Sequence, residues 1–416
     1  MKKFIILIII ILLICGGIYI ITYMNQTEPS ICLKDYFNKL NNKDYEGMYN
    51  DVITDISKEE FVLRIKNIYE GIEAENINIT VFANIEDENN KDIINVTYKA
   101  SMETVAGNMN YINTTKLIKE EEKYKLIWDS SVIFPDLKDE YKVRVENLIS
   151  VRGSIYDRND IAIAKDGTAY SVGVVPGKIE NKEDITELAN LLGIRQADIN
   201  EALSVEYVND DTFVPLRKIS KDEQELKNKL LNIKGVLITD INSRIYPYKE
   251  TTSMLTGYIQ DGVGKTGLEY AYNDRLEGSD GKEIYIVDEN NNKVKTLLKI
   301  DAKNGEDIKT TIDIKLQQKL YNNFKDDPGA HVSMNYNTGE ILALVSIPSY
   351  DANKIVLGLT TTEWNNLQND KNNVMYNRYL SLYVPGSSLK PVVGAIGLKG
   401  NYFTKDDDFG ESGTKW

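Results

Sequence analysis

The run of uncharged residues from Phe4 to Tyr23, in MKKFIILIIIILLICGGIYIITYMNQTEPS, sets the first limit on this chain. As a helix, about 20 residues rise roughly 30 Å, the thickness of a bilayer's hydrocarbon core. Lys2 and Lys3 precede the run and no Lys or Arg follows until Lys34, so the positive-inside rule leaves the rest of the chain outside the cytoplasm. A cleaved secretory signal is the rival reading. Its apolar segment is usually about 7–15 residues and ends in a small-residue cleavage site, which is not found here. A lipoprotein-type cleavage before Cys15 is a third route, with bulky Ile14 where a small residue is expected. An uncleaved anchor over residues 1–24 is the expectation, and all three routes lead to the same compartment.

The remaining length, in a chain of 416 residues, calls for more than one core. A formal charge of −14 argues against a nucleic-acid partner, which rewards a basic face. With one histidine, His331, a histidine triad or multi-histidine metal site is not expected. The two cysteines, Cys15 and Cys32, cannot make a zinc cluster or a disulfide framework.

Three textures follow the anchor. Over 25–140, SICLKDYFNKLNNKDYEGMYNDV and SKEEFVLRIKNIYEGI carry helical stripes, the second opened by Ser57 with Glu60 three residues on. Alternating runs follow, NINITVFANIE, IINVTYKASMET, MNYINTTKLIKE and KYKLIWDSSVIF, read as four antiparallel strands of a small α+β domain. Over 141–305 the chain is punctuated by glycines in turn or close-packing positions, with ITELANLLGIRQADINEALSV and KDEQELKNKLLNI as helices. From 306 to 416, DIKTTIDIKLQQKLYNNF reads as a strand entering a helix, and Asn337-Thr338-Gly339 marks a hairpin.

Ser-x-x-Lys occurs at Ser279–Lys282, Ser387–Lys390 and Ser412–Lys415, so the spacing alone decides nothing. Only Ser387 is followed by a long apolar segment, PVVGAIGL, and Pro391 is tolerated only in a first turn, which places a helix start near Ser387. Positions i and i+3 share a helix face, so Lys390 can reach Ser387. A lysine desolvated among apolar side chains can act as base toward a hydroxyl. The helix N-terminus adds N–H groups for an oxyanion. The other reading is a helix cap by Ser387 or Ser388 with Lys390 solvated, and local context does not separate the two.

The order of the longer segments does. RGSIYDRND (Arg152–Asp160), RIYPY with LTGYI, GKTGLEYAYNDRLEGSDG, NTGEILALVSIPSYDAN and NRYLSLYVPGSSLKP together resemble the signatures of a class B penicillin-binding protein, a peptidoglycan transpeptidase. The 25–140 region is similar to the NTF2-like extension of the methicillin-resistance-type subgroup. The resemblance implies a multidomain α+β chain: anchor 1–24, NTF2-like domain 25–140, pedestal or dimerisation domain 141–305, and the first part of a serine transpeptidase domain over 306–416. It implies Ser387 as acyl-accepting nucleophile and Lys390 as base, acting on D-Ala-D-Ala stem peptides or β-lactams without metal or organic cofactor. It places the chain at the cytoplasmic membrane beside other wall-synthesis proteins.

Asp160 stands where the family has Gly, and Ser388 and Leu389 where it has Thr and Phe. The family's Ser-x-Asn and Lys-Thr/Ser-Gly motifs are not found after Lys390. The one Lys-Thr-Gly, Lys265-Thr266-Gly267, lies upstream in the pedestal signature and reads as structural. The expectation is therefore a truncated family member, inactive alone, with PVVGAIGL partly uncovered. A serine β-lactamase or β-lactam sensor and a non-enzymatic scaffold in a wall-synthesis complex are the alternatives. The pedestal signatures argue against the first two.

Overall fold

The computed structural model describes residues 28–120 and 123–410. The apolar run 4–23 and Cys15 lie outside them, and among the described residues no helix is long and apolar enough to cross a membrane. The chain divides into two compact units, residues 1–153 with 277–306, and residues 154–276 with 307–416. The 141–305 segment thus contributes to both.

In the first unit, helices Glu28–Asn41 and Lys58–Gly71 pack on a five-stranded sheet. The Ser57 cap behaves as its sequence predicts: Ser57 Oγ accepts the Glu60 N–H at 3.2 Å and Glu60 Oε2 accepts the Ser57 N–H at 3.0 Å. The helix buries Phe61, Ile65, Ile68 and Tyr69 on one face. The sheet runs Val52–Ile53, Lys123–Ile127, Gly107–Glu120, Ile93–Thr104, Glu75–Glu86, antiparallel except for its short first strand.

One expected strand is shorter than KYKLIWDSSVIF suggests. It stops at Ile127, and Ser130–Val132 form a 3-10 turn. Asp129 caps that turn by accepting the Ser131 N–H at 2.8 Å. The Tyr98 and Tyr111 hydroxyls donate to the Val132 and Ile133 carbonyls at 3.2 and 2.8 Å. Val132, Ile133 and Phe134 therefore reach the core from a turn whose polar groups are satisfied, and no ladder is needed. A second sheet, Lys293–Ile300, Gly281–Val287, Lys142–Leu148, adds Ile284 and Ile286 to the same core.

The second unit has two cores. A long antiparallel pair, Ala162–Val174 with Val236–Ile245, runs through both. At one end, strand Val214–Ile219 and helices Lys182–Leu192, Gln196–Leu203 and Gln224–Leu230 enclose Val172, Leu188 and Ile199. Gly193 at φ +65° ends the first of these helices, a left-handed cap that a side chain would strain. At the other end, Ile155–Tyr156 pairs with Ala162–Val174 and, in parallel, with Ile308–Lys309. Helix Ile314–Phe324 and the hairpin Gly329–Met334/Ile341–Ile347 complete this core, with Gly339 in the predicted turn at φ +77°.

Asp157 joins these parts. Its carboxylate is fully buried and accepts the N–H groups of Asn159 (2.7 Å), Ile161 (2.9 Å) and Ile314 (3.2 Å). Burial pushes its pKa up, but the donors from Ile161, Ile314 and Asn159 outweigh burial and hold it below the usual value. The turn passes through Asp160 at φ +62°, which is why glycine suits that position and aspartate is tolerated. A carboxyl depressed on folding stabilises above its unfolded value, near pH 4, and the contribution fades as pH falls through the folded one. Asp157→Asn should therefore cost about 2 kcal/mol at neutral pH. Circular-dichroism melts at neutral pH and near pH 3 should show that gap narrowing in acid. A gap independent of pH would mean the charge is irrelevant.

Candidate active site

Ser387 lies on a 3-10 turn, Gly386–Leu389, that feeds directly into helix Lys390–Lys399, with Pro391 in its first turn. The helix start expected from Pro391 is thus displaced by one short turn, and Lys390 opens the α-helix proper. Gly386 sits at φ +55°, which lets the chain reverse after Pro385. Ser387 and Lys390 are both exposed, and no hydrogen bond joins them among the described residues. It is Ser388, not Ser387, whose hydroxyl turns back to the Pro385 carbonyl. The apolar helix itself faces solvent: Val392, Val393 and Ile396 are each more than half exposed.

The chain that leads into that segment is held by buried side chains bonded to main chain. Arg378, buried, donates to the carbonyls of Pro348, Asn372, Asn373 and Tyr376. Gln317, fully buried, pairs with the backbone of strand Ile341–Ile347, taking the Leu344 N–H at 2.8 Å and donating to its carbonyl at 2.7 Å. Tyr379 donates to the Met254 carbonyl at 2.7 Å, and Ser253 Oγ accepts the Ala352 N–H at 3.0 Å. Asn353 brackets Tyr246, accepting its N–H at 2.8 Å and donating to its carbonyl at 2.9 Å.

Tyr246 in turn belongs to a buried ionic knot. Its hydroxyl accepts the Ile259 N–H at 3.1 Å and donates to Glu269 at 3.3 Å. Glu269 also accepts from Arg244 Nε at 2.8 Å, and Arg244 Nη1 reaches Asp166 at 3.0 Å. Neither the Arg244 nor the Glu269 side chain is exposed to solvent. Gly257 and Gly264 allow this closeness: a Cβ on Gly257 would lie 1.8 Å from the Thr266 carbonyl, and one on Gly264 1.9 Å from that of Glu269. A cavity of about 470 Å³ opens elsewhere in the unit, against Leu192, Arg217, Asn353 and Glu363, and its lining includes neither Ser387 nor Lys390.

Residues 28–141 match the NTF2-like N-terminal transpeptidase domain and residues 148–310 the penicillin-binding protein dimerisation domain. Residues 329–416 match the penicillin-binding protein transpeptidase domain. Penicillin-binding protein 3 of Bacillus subtilis (strain 168) is 36% identical over 98% of this chain. The chain belongs to the class B penicillin-binding proteins. It spans 65% of the length of the Bacillus protein. Peptidoglycan D,D-transpeptidase MrdA of Escherichia coli (strain K12) is 29% identical over 64% of this chain and 47% of its own length. A solved complex between a penicillin-binding protein and MreC from Helicobacter pylori is 27% identical with a TM-score of 0.45, over 66% of this chain and 56% of that one.

Within this penicillin-binding protein the Lys265-Thr266-Gly267 triplet has a structural place. Lys265 and Thr266 are exposed, and Gly267 at φ +59° packs against the backbone of Leu255, Thr256 and Gly257. The consequential residue of GKTGLE is Glu269, which sequence reasoning passed over. Its signal was a lone acid in an apolar stretch, matched by a lone Arg244 in SRIYPY. Removing one partner of a buried ion pair leaves the other charge unpaired, at about 3–5 kcal/mol. Glu269→Ala should lower the unfolding midpoint accordingly, while Lys265→Ala stays within about 0.5 kcal/mol of the parent. Equal effects of the two substitutions in thermal melts would contradict this assignment.

Proposed function

We propose that this protein acts in peptidoglycan cross-linking as a D-Ala-D-Ala transpeptidase that works through an ester on Ser387. The observation that carries the reading is the placement of Ser387 and Lys390 one turn apart at a helix start, inside the stretch matched to the transpeptidase domain. Ser387 Oγ attacks the carbonyl of the penultimate D-Ala, Lys390 takes the hydroxyl proton and returns it to the amide nitrogen, and the terminal D-Ala departs as an amine. A stem-peptide amine then attacks the ester. β-Lactams acylate the same oxygen. The N–H of Ser387 supplies part of the oxyanion hole.

The same reading assigns an anchor to 1–24, an NTF2-like domain to 25–140, a pedestal to 141–305 and transpeptidase sequence from 306. It places the bulk of the chain outside the cytoplasmic membrane, with other wall-synthesis proteins as partners, in the low-affinity resistance-type subgroup. Its support is the apolar run with Lys2 and Lys3 before it, and the NTF2-like match over 28–141.

The described residues do not assemble apolar surroundings around Lys390, which is exposed. Acylation of this chain by a fluorescent penicillin should accordingly be slow, and Ser387→Ala should lower what remains by about 10⁴-fold or more. Gel fluorescence of parent and variant reads both. Rapid labelling of the parent would overturn the first expectation, and labelling that survives Ser387→Ala the assignment of the nucleophile.

A further inference from the structure

The segment that carries Ser387 is tied to the rest of its unit at one place. Every hydrogen bond made by residues 382–410 stays within residues 385–410 among the described residues. Leu382, Val384 and Tyr383 are exposed at 102%, 94% and 63%. The last element before Ser387 that meets the hairpin strands is the turn Arg378–Leu380. Tyr379 ties that turn to the Met254 carbonyl at 2.7 Å, and Arg378 supplies most of its remaining hydrogen bonds. Arg378 as a whole is 9% exposed, and its guanidinium meets carbonyl oxygens: Nη1 those of Pro348, Asn373 and Tyr376 at 3.2–3.3 Å, Nη2 that of Asn372 at 2.6 Å. Its own N–H donates to Ser346 Oγ at 3.1 Å, and that hydroxyl donates to the Tyr376 carbonyl at 3.3 Å.

A planar cation with five N–H donors can bind several carbonyls at fixed angles, which an ammonium on a flexible stem cannot. Here it fastens the end of strand Ile341–Ile347, at Pro348, to the loop at Asn372, Asn373 and Tyr376. We propose that Arg378 is a positioning residue for the reaction. It sets the point and direction from which the chain departs toward Ser387, and without it the 3-10 turn and its serine sample a wider volume. This rests on the reading of Ser387 as nucleophile, but the geometric half of the proposal can be measured without any acylation.

The test uses the full chain with Cys15 and Cys32 replaced by serine and spin labels at Ser388→Cys and Lys319→Cys, the latter on helix Ile314–Phe324. Electron–electron resonance then gives the distance distribution between helix and nucleophile turn. In Arg378→Met the distribution should broaden about twofold, and in Arg378→Lys by less, since one ammonium reaches fewer carbonyls. If Arg378→Met does not fold by circular dichroism, Arg378→Lys decides by the same width. An unchanged width in a folded variant overturns the proposal, whatever happens to the melting temperature. With a fluorescent penicillin, Arg378→Met should lower the first-order acylation step by about 10²-fold, with far less change in the preceding affinity. A drop confined to affinity also overturns it. A parent chain in which Ser387 takes no label contradicts the acyl-serine reading alone, and the distance widths still decide the role of Arg378.

Discussion

Much of the second unit depends on one carboxylate, Glu269, which has no contact with solvent and faces Arg244, equally buried. Taking both charges from water is expensive, and their attraction repays it only if the remaining donors and acceptors are satisfied. The Tyr246 hydroxyl and Asp166 provide two of those further partners. Because Tyr246 is also bracketed through its backbone by Asn353, the charge network is continuous with the chain that leads into the transpeptidase region. Signature segments far apart in sequence are therefore one hydrogen-bonded object. Glycines recur in them because backbone passes against backbone at Gly257, Gly264 and Gly267.

Above that foundation the structure becomes less constrained. Gln317 and Arg378 bind main chain where strands and turns would otherwise leave carbonyls unpaired, so the hairpin and the loop after it are fixed by side chains rather than by a wide sheet. Beyond Ser381 that kind of support ends. Helix Lys390–Lys399 has a strongly apolar sequence yet shows most of its surface to solvent. An apolar helix is stable in water when it buries a face, and the described residues give this one little to bury against. The contrast separates a densely hydrogen-bonded foundation from the Ser387 segment, which leaves it at the turn Arg378–Leu380.

Several elements were legible because their physics is local. The Ser57–Glu60 capping box, the Asn337-Thr338-Gly339 hairpin and the Pro391 helix start each depend on residues within a few positions of one another. The strand expected through Val132 failed because tyrosines from two other strands satisfied its carbonyls in a turn, which no local pattern could signal. Ser387 was singled out from three Ser-x-x-Lys sites by its flanking segments. Arg378 and Glu269 passed unremarked, since a charged residue in sequence does not say whether water or protein surrounds it.

Sequence alone determined the family resemblance, the order of its segments, a helix start within one short turn of its place at the Ser-x-x-Lys site and the uncharged run before Tyr23. The family and its segment order rest on the resemblance of the signature segments, whereas the helix start and the uncharged run follow from turn chemistry and composition, which act over one or two turns of chain. Only the tertiary structure decided that Glu269 is buried against Arg244, and that Arg378 binds four backbone carbonyls at the root of the segment that carries Ser387. The physical reason is desolvation. Whether a charge costs or stabilises depends on what replaces its water, and those groups arrive from segments tens to more than a hundred residues away.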